Sequence, residues 1–210
     1  MAVVSEPVRA PVIIDLSAPQ LRARLREALA IYVAAMDYPR GTEHHRAPMW
    51  AEHMSRPGWR AVGAVLTSPG VSADLEAAPL VAITYGYRGA PHQWWHQQVH
   101  SGMRRAGWSE ADAQQTLSNY FELTELHVHP AAQGNGLGEQ LARRLLEPRT
   151  ERIALLSTPE VAGENNRAWR LYRRLGFADV VRGFTFAGDN RPFAILGADL
   201  PLAAGSEPAG

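Results

Sequence analysis

Apolar positions along the chain change period several times, and each change marks an element. Val12-Ile13-Ile14 is a short β-branched run and predicts a first strand. Leu21, Leu25, Ala28, Leu29 and Tyr32 then fall at helical spacing, with Arg22, Arg24, Arg26 and Glu27 off that stripe. Ser17 as N-cap, with Pro19 in the first turn, opens this predicted helix, which runs to Met36. Tyr38-Pro39-Arg40-Gly41 reads as a turn, and a short helix is expected around Met49–Met54. Trp59–Leu66 and Leu80–Tyr87 predict two strands, separated by a turn-rich stretch over residues 68–79.

Residues 88–118 differ in character. They hold His92, Trp94, Trp95, His96, His100 and Trp108, with a capped helix predicted from Ser109-Glu110. A connection this long in a compact domain usually carries function, so 88–118 reads as a helical insertion. Regular alternation comes next: a strand over Tyr120–Val128, a helix over Gly136–Leu146 and a strand over Ile153–Leu156. A helix over Asn166–Leu175 and strands over Ala178–Phe186 and Phe193–Leu196 complete the pattern. Strands alternating with helices and closing on a β-pair indicate an α/β fold on a mixed sheet. Residues 1–200 are expected to form a single domain, and the small, polar stretch 201–210 a disordered tail.

The strand over 120–128 and the glycine-rich loop after it carry the chemistry. A strand buried under helices should be nearly all apolar, yet this one bears Glu122, Thr124, Glu125 and His127, with His129 just beyond. Such groups must be satisfied or used, unless the strand keeps one wet face. Pro130 ends it, because proline cannot donate to a ladder. Gln133-Gly134-Asn135-Gly136-Leu137-Gly138 then strips side chains from the start of a helix, where free amides attract phosphate oxygens. No GK[ST] follows and the spacing is not GxGxxG, so neither a nucleotide-hydrolase loop nor a dinucleotide fold is indicated.

Composition narrows the function classes. The 210 residues carry 21 basic and 21 acidic side chains, a balance that argues against a nucleic-acid partner. All the basic residues are arginine, which excludes Schiff-base lysine chemistry; cysteine is absent too, which excludes disulfides, zinc–thiolate sites and thiol nucleophiles. No stretch is long and apolar enough to span a bilayer, and Glu6-Pro7 interrupts any signal-peptide pattern, so a cytoplasmic location is expected.

Two segments together resemble the GCN5-related N-acetyltransferase (GNAT) family. Its loop signature Q/R-x-x-G-x-G/A is met by Gln133, Gly136 and Gly138, and its later helix N-x-x-A-x-x-L-Y-x-x-x-G-F by Asn165, Ala168, Leu171, Tyr172, Gly176 and Phe177. The resemblance covers roughly residues 120–180. It implies a mostly antiparallel central sheet flanked by helices on both faces, with acetyl-coenzyme A as co-substrate and an amine as acceptor. The pyrophosphate would lie on Gln133, Gly134, Asn135, Gly136, Leu137 and Gly138. The pantetheine arm would pair with the backbone of Leu126, His127 and Val128, and Asn165 would hydrogen-bond its amides. Tyr172 occupies the family's general-acid position, and Glu125 or Glu122 would be the base. Strand parity puts those two carboxylates on opposite faces, and Glu125 is favoured because it directly precedes the pantetheine-pairing residues. Without cysteine, transfer would be direct, in a ternary complex.

The remaining constellations are less specific. His92, His96 and His100 are spaced i, i+4, i+8, but no nearby carboxylate in the sequence joins that face, so a solvated or acceptor-site face is expected rather than a metal site. Trp94 and Trp95 would either close over an acceptor or anchor the insertion, with Trp50, Tyr85 and Tyr87 as further aromatic candidates. The acceptor is expected to be a small-molecule amine or a peptide N-terminus, with no nucleic acid and no membrane as partner. A homodimer is compatible with the resemblance. The competing readings are a non-catalytic acyl-coenzyme A sensor and, disfavoured by its missing motif, a dinucleotide oxidoreductase.

Overall fold

The computed structural model describes residues 10–67 and 75–203. The Glu6-Pro7 segment, positions 68–74 of the turn stretch and the tail from 204 onward lie outside the described residues. The strands are β1 (Ala10–Leu16), β2 (Arg60–Thr67), β3 (Leu80–Arg88), β4 (Tyr120–Val128), β5 (Ile153–Pro159), β6 (Ala178–Phe184) and β7 (Phe193–Asp199). They hydrogen-bond as one seven-stranded sheet in the order β1-β2-β3-β4-β5-β7-β6. The β4–β5 ladder is parallel, whereas β1–β2, β5–β7 and β6–β7 are antiparallel, so the sheet is mixed, as expected. Helices α1 (Ala18–Ala23), α2 (Leu25–Met36), α3 (Thr42–His53), α4 (Trp94–Arg105), α5 (Glu110–Leu117), α6 (Leu137–Leu146) and α7 (Arg167–Arg174) flank it. The chain divides into two compact units, one of residues 1–85 and 125–142, the other of 86–124 and 143–210.

In the first unit, Ser17 caps α1 through a reciprocal pair with Gln20: the Ser17 amide donates to Gln20 Oε1 at 2.9 Å, and the Gln20 amide to Ser17 Oγ at 3.4 Å. The expected single helix is broken at Arg24, whose φ of −101° and ψ of 12° leave the helical region. Arg24 turns to donate to the Ala78 carbonyl at 2.6 Å and to Glu27 at 2.8 Å. These long-range and local bonds compensate for the interruption. α3 is longer than the expected short helix and starts after Gly41, whose φ of 100° only glycine adopts readily. Its first turns are polar, and Pro48 lies inside it, which from sequence alone marks a break.

In the second unit, residues 88–118 build α4 and α5, with Ser109 accepting from the Asp112 amide as the expected cap. Trp95, Val99 and Met103 of α4 and Leu117 of α5 pack with Tyr120, Leu155, Val181 and Phe184 in a common core. Gly86 is required where strands meet closely: a Cβ there would overlap the Glu122 carbonyl oxygen and lie 2.5 Å from Phe121 Cε1. Backbone cannot step aside as a flexible side chain can. Gly86→Ala is therefore expected to lower unfolding free energy by about 1–3 kcal/mol in urea denaturation.

Candidate functional site

The glycine segment begins where β4 stops. Gln133 Nε2 donates back to the Val128 carbonyl at 2.9 Å and so fixes the loop to the strand end. Gly134 and Gly136 take φ of 96° and 70°, conformations that turn successive amides toward one side without a Cβ penalty. The amides of Gly134, Asn135, Gly136, Leu137 and Gly138 donate to no protein acceptor among the described residues. They stand at the head of α6, whose ten residues add the positive end of a helix dipole. This cradle of unused donors fits a pyrophosphate such as that of coenzyme A. The ladder to β5 takes up only Tyr120, Phe121 and Glu122 of β4; Leu126, His127 and Val128 lie outside it.

Glu125 lies on β4 in the first unit, with an aromatic cluster around it. Its Oε1 accepts from the Trp50 indole N–H at 3.2 Å, and its Oε2 lies 2.5 Å from His127 Nε2. The two-residue spacing puts Glu125 and His127 on one face of the strand. The Glu125 backbone carbonyl accepts from Thr84 Oγ1 at 2.8 Å. The Tyr32 ring meets the His127 imidazole edge-on at 4.9 Å, and Trp50 lies roughly parallel to it at 6.4 Å. Burial pushes the Tyr32 phenol up to about 12, so it stays neutral. Behind Trp50, Tyr85 Oη and His53 Nδ1 are 3.0 Å apart, and burial, reinforced by Arg56, lowers His53 to about 4. Of this group, Glu125, Trp50 and Tyr85 stand out as candidates in the sequence. Tyr32 shows there only as part of a helical stripe, and His127 as a polar strand residue whose backbone the resemblance uses.

Glu122, Tyr172 and Asn165 belong to the second unit. Glu122 is buried and accepts from Tyr87 Oη at 3.0 Å. Tyr172 is nearly buried on α7, its ring edge-on to Phe177 at 5.8 Å. Asn166 is the N-cap of α7, its Oδ1 accepting from the Trp169 amide at 2.9 Å, while Asn165 just before it is exposed and accepts from Arg170 at 3.2 Å. Trp169, at an unspecified position of the helix motif, fastens α7 to the end of β5 by donating to the Pro159 carbonyl at 3.0 Å. Trp95 anchors α4 in the core and donates to Ser157 at 3.3 Å, whereas Trp94 is 52% exposed.

The histidine face also resolves. His92 precedes α4, and His96 Nδ1 lies 3.3 Å from Tyr120 Oη, its imidazole held below its usual range by burial. His100 Nε2 is 3.0 Å from Glu110 Oε1, so a carboxylate does reach this face, from α5. Gln114 and Arg104 also donate to Glu110, which keeps the arrangement a polar network between two helices.

Two measurements probe these local structures. Gly136→Val forces a β-branched residue into positive φ and narrows the amide cradle, so coenzyme affinity by calorimetry should fall at least about tenfold. His53 is neutral when folded but takes a proton near its ordinary value of 6.5 when unfolded. Its contribution is complete above that pH and is lost as pH falls toward about 4, a change of roughly 2–3 kcal/mol. The stability of the wild type in denaturation should accordingly fall more between pH 7 and 4.5 than that of His53→Gln.

Residues 87–177 match the Acetyltransferase (GNAT) family. The chain is 55% identical over 202 residues to a GCN5-like protein acetyltransferase of Mycobacterium tuberculosis, covering 90% of this chain and 98% of that protein. Among solved structures it is similar to a GNAT-family acetyltransferase of Desulfovibrio desulfuricans, with TM-score 0.59 at 14% identity, over 90% of this chain and 99% of that one. It is also similar to a Salmonella typhimurium acetyltransferase solved with its cofactor acetyl-CoA, with TM-score 0.55 at 16% identity, over 95% and 99% of the two chains. The relative and the motif-bearing segment agree: the chain belongs to the GNAT family and is an N-acetyltransferase with acetyl-coenzyme A as its co-substrate.

Proposed function

We propose that this enzyme transfers acetyl from acetyl-coenzyme A to a primary amine on a protein, directly and within a ternary complex. The observation that carries the donor half is the row of unused amides from Gly134 to Gly138 at the head of α6. The protein acceptor is supported by the relative at 55% identity, which is named a protein acetyltransferase. Direct transfer is supported by composition, because a chain without cysteine cannot form a thiol-linked acyl-enzyme.

The residues divide the work by chemistry. Gln133 holds the glycine turn against β4, and the amides after it bind the pyrophosphate. Leu126, His127 and Val128 offer strand backbone to the pantetheine amides, in the manner of an added strand, and Asn165 offers an exposed amide side chain. Tyr172 supplies a proton to the departing thiolate. Of the two candidate carboxylates, Glu125 is the better placed to assist amine deprotonation. It sits beside an imidazole, whereas Glu122 is buried under a tyrosine hydroxyl.

Release of free coenzyme A from acetyl-coenzyme A should depend on an added lysine-bearing or free-N-terminal peptide. Coenzyme-dependent thermal stabilisation with no release across an amine panel would instead favour a sensor. Tyr172→Phe should lower kcat by roughly 10- to 1000-fold while leaving coenzyme-induced stabilisation intact. An undiminished rate removes Tyr172 from the mechanism.

A further inference from the structure

Both oxygens of Glu125, the carboxylate proposed above to assist the amine, are occupied. Oε1 takes the Trp50 indole proton, and Oε2 faces His127 Nε2 at 2.5 Å. An ionised carboxylate only accepts hydrogen bonds, so Nε2 must carry a hydrogen. In the neutral ring Nδ1 then holds a lone pair. Nδ1 has no protein partner among the described residues, and it is not among the buried polar atoms sealed from solvent. Tyr32 edge-on and Trp50 face-on hold the plane of the ring. A carboxylate on one imidazole nitrogen and an open lone pair on the other is the arrangement by which an acid side chain makes histidine a base.

We infer that His127 Nδ1, oriented by Glu125 and Trp50, accepts the proton of the acceptor amine. The inference rests on the proposed transferase function and moves the base from the carboxylate to the imidazole it holds. The ammonium form of the acceptor loses one proton to Nδ1, which later passes to water. The freed lone pair forms the C–N bond to the acetyl carbon as the C–S bond breaks. The second proton lost from nitrogen balances the one the thiolate gains. Glu125 is a positioning residue: it selects the tautomer and stabilises the imidazolium. Of the other titratable or charged groups, Tyr32 packs on the ring itself, Tyr38 and Arg46 lie against Tyr32, and Tyr85 with its partner His53 lies against Trp50. Arg46 lies over the Tyr32 ring at 5.5 Å, and Tyr32 and His53 stay neutral, which leaves Glu125 as the carboxylate that bonds the imidazole.

The test combines kinetics with a measurement that needs no turnover. With acetyl-coenzyme A and a single-lysine peptide, His127→Gln should lower kcat/KM by about 10²-fold or more. It should also erase the plateau of the pH–rate profile, leaving a rate that rises with hydroxide, while coenzyme-induced thermal stabilisation is unchanged. Added imidazole should partly restore His127→Gly. Glu125→Gln should lose about tenfold yet keep the plateau. The inference is overturned if His127→Gln keeps the plateau while Glu125→Gln loses it, since the carboxylate would then be the base. Independently, nitrogen-15 spectra of the wild type should show His127 with hydrogen on Nε2 and a bare Nδ1; the opposite tautomer overturns the inference even where every variant misfolds. A wild type that binds the coenzyme but leaves the peptide unmodified defeats the protein-acceptor reading, and the tautomer then decides the His127 arrangement alone.

Discussion

A carboxylate on a largely buried strand is tolerated only where donors meet it, and Glu125 is built around that requirement. Desolvating an ionised side chain costs several kcal/mol unless hydrogen bonds replace water. Glu125 receives one donor from Trp50, 75 residues away in the chain, and a second from His127 on its own strand. Trp50, which supplies the indole N–H, is itself buried and packs edge-on against Tyr32 and Tyr85. The polar group thus sets the register of β4 and the position of α3. A one-residue slip of β4 would turn both Glu125 and His127 to the other face.

The second constraint is the opposite in kind, a site made by leaving donors unused. A strand–turn–helix unit normally satisfies its first amides with a capping side chain. The glycine turn before α6 has no such cap among the described residues, whereas Ser17, Ser109 and Asn166 each accept from an amide at the start of their own helices. α2, α3 and α4 lack a side-chain cap too, so what distinguishes the α6 end is the run of unused amides from Gly134 to Gly138 behind two positive-φ glycines. Positive φ at Gly134 and Gly136 makes the turn possible without strain.

Much of this is legible in the sequence because it is local. The strand over Tyr120–Val128 has the expected bounds, the caps at Ser17 and Ser109 function as such, and the glycine turn sits where Pro130 ends the strand. The departures have physical causes of their own. The break at Arg24 follows from a guanidinium finding the Ala78 carbonyl, a contact that helical spacing does not encode. The length of α3 is hidden by Pro48, which tertiary packing accommodates inside a helix. Trp169 escapes notice because it falls on an unspecified position of the helix motif, and the motif does not record an indole that bonds the end of another strand.

The sequence by itself determined the order of elements, the amide cradle and, through two spaced motifs, the family. It also determined one negative fact about mechanism, the absence of any thiol to carry an acyl group. These depend on neighbours in the chain or on composition, where short-range geometry suffices. Only the tertiary structure decided that Tyr32, Trp50 and Tyr85 gather at Glu125, and that the side chain of His127 bonds that carboxylate. Residues so far apart in sequence are brought together by packing, and no periodicity along the chain records which buried donor will meet which acceptor.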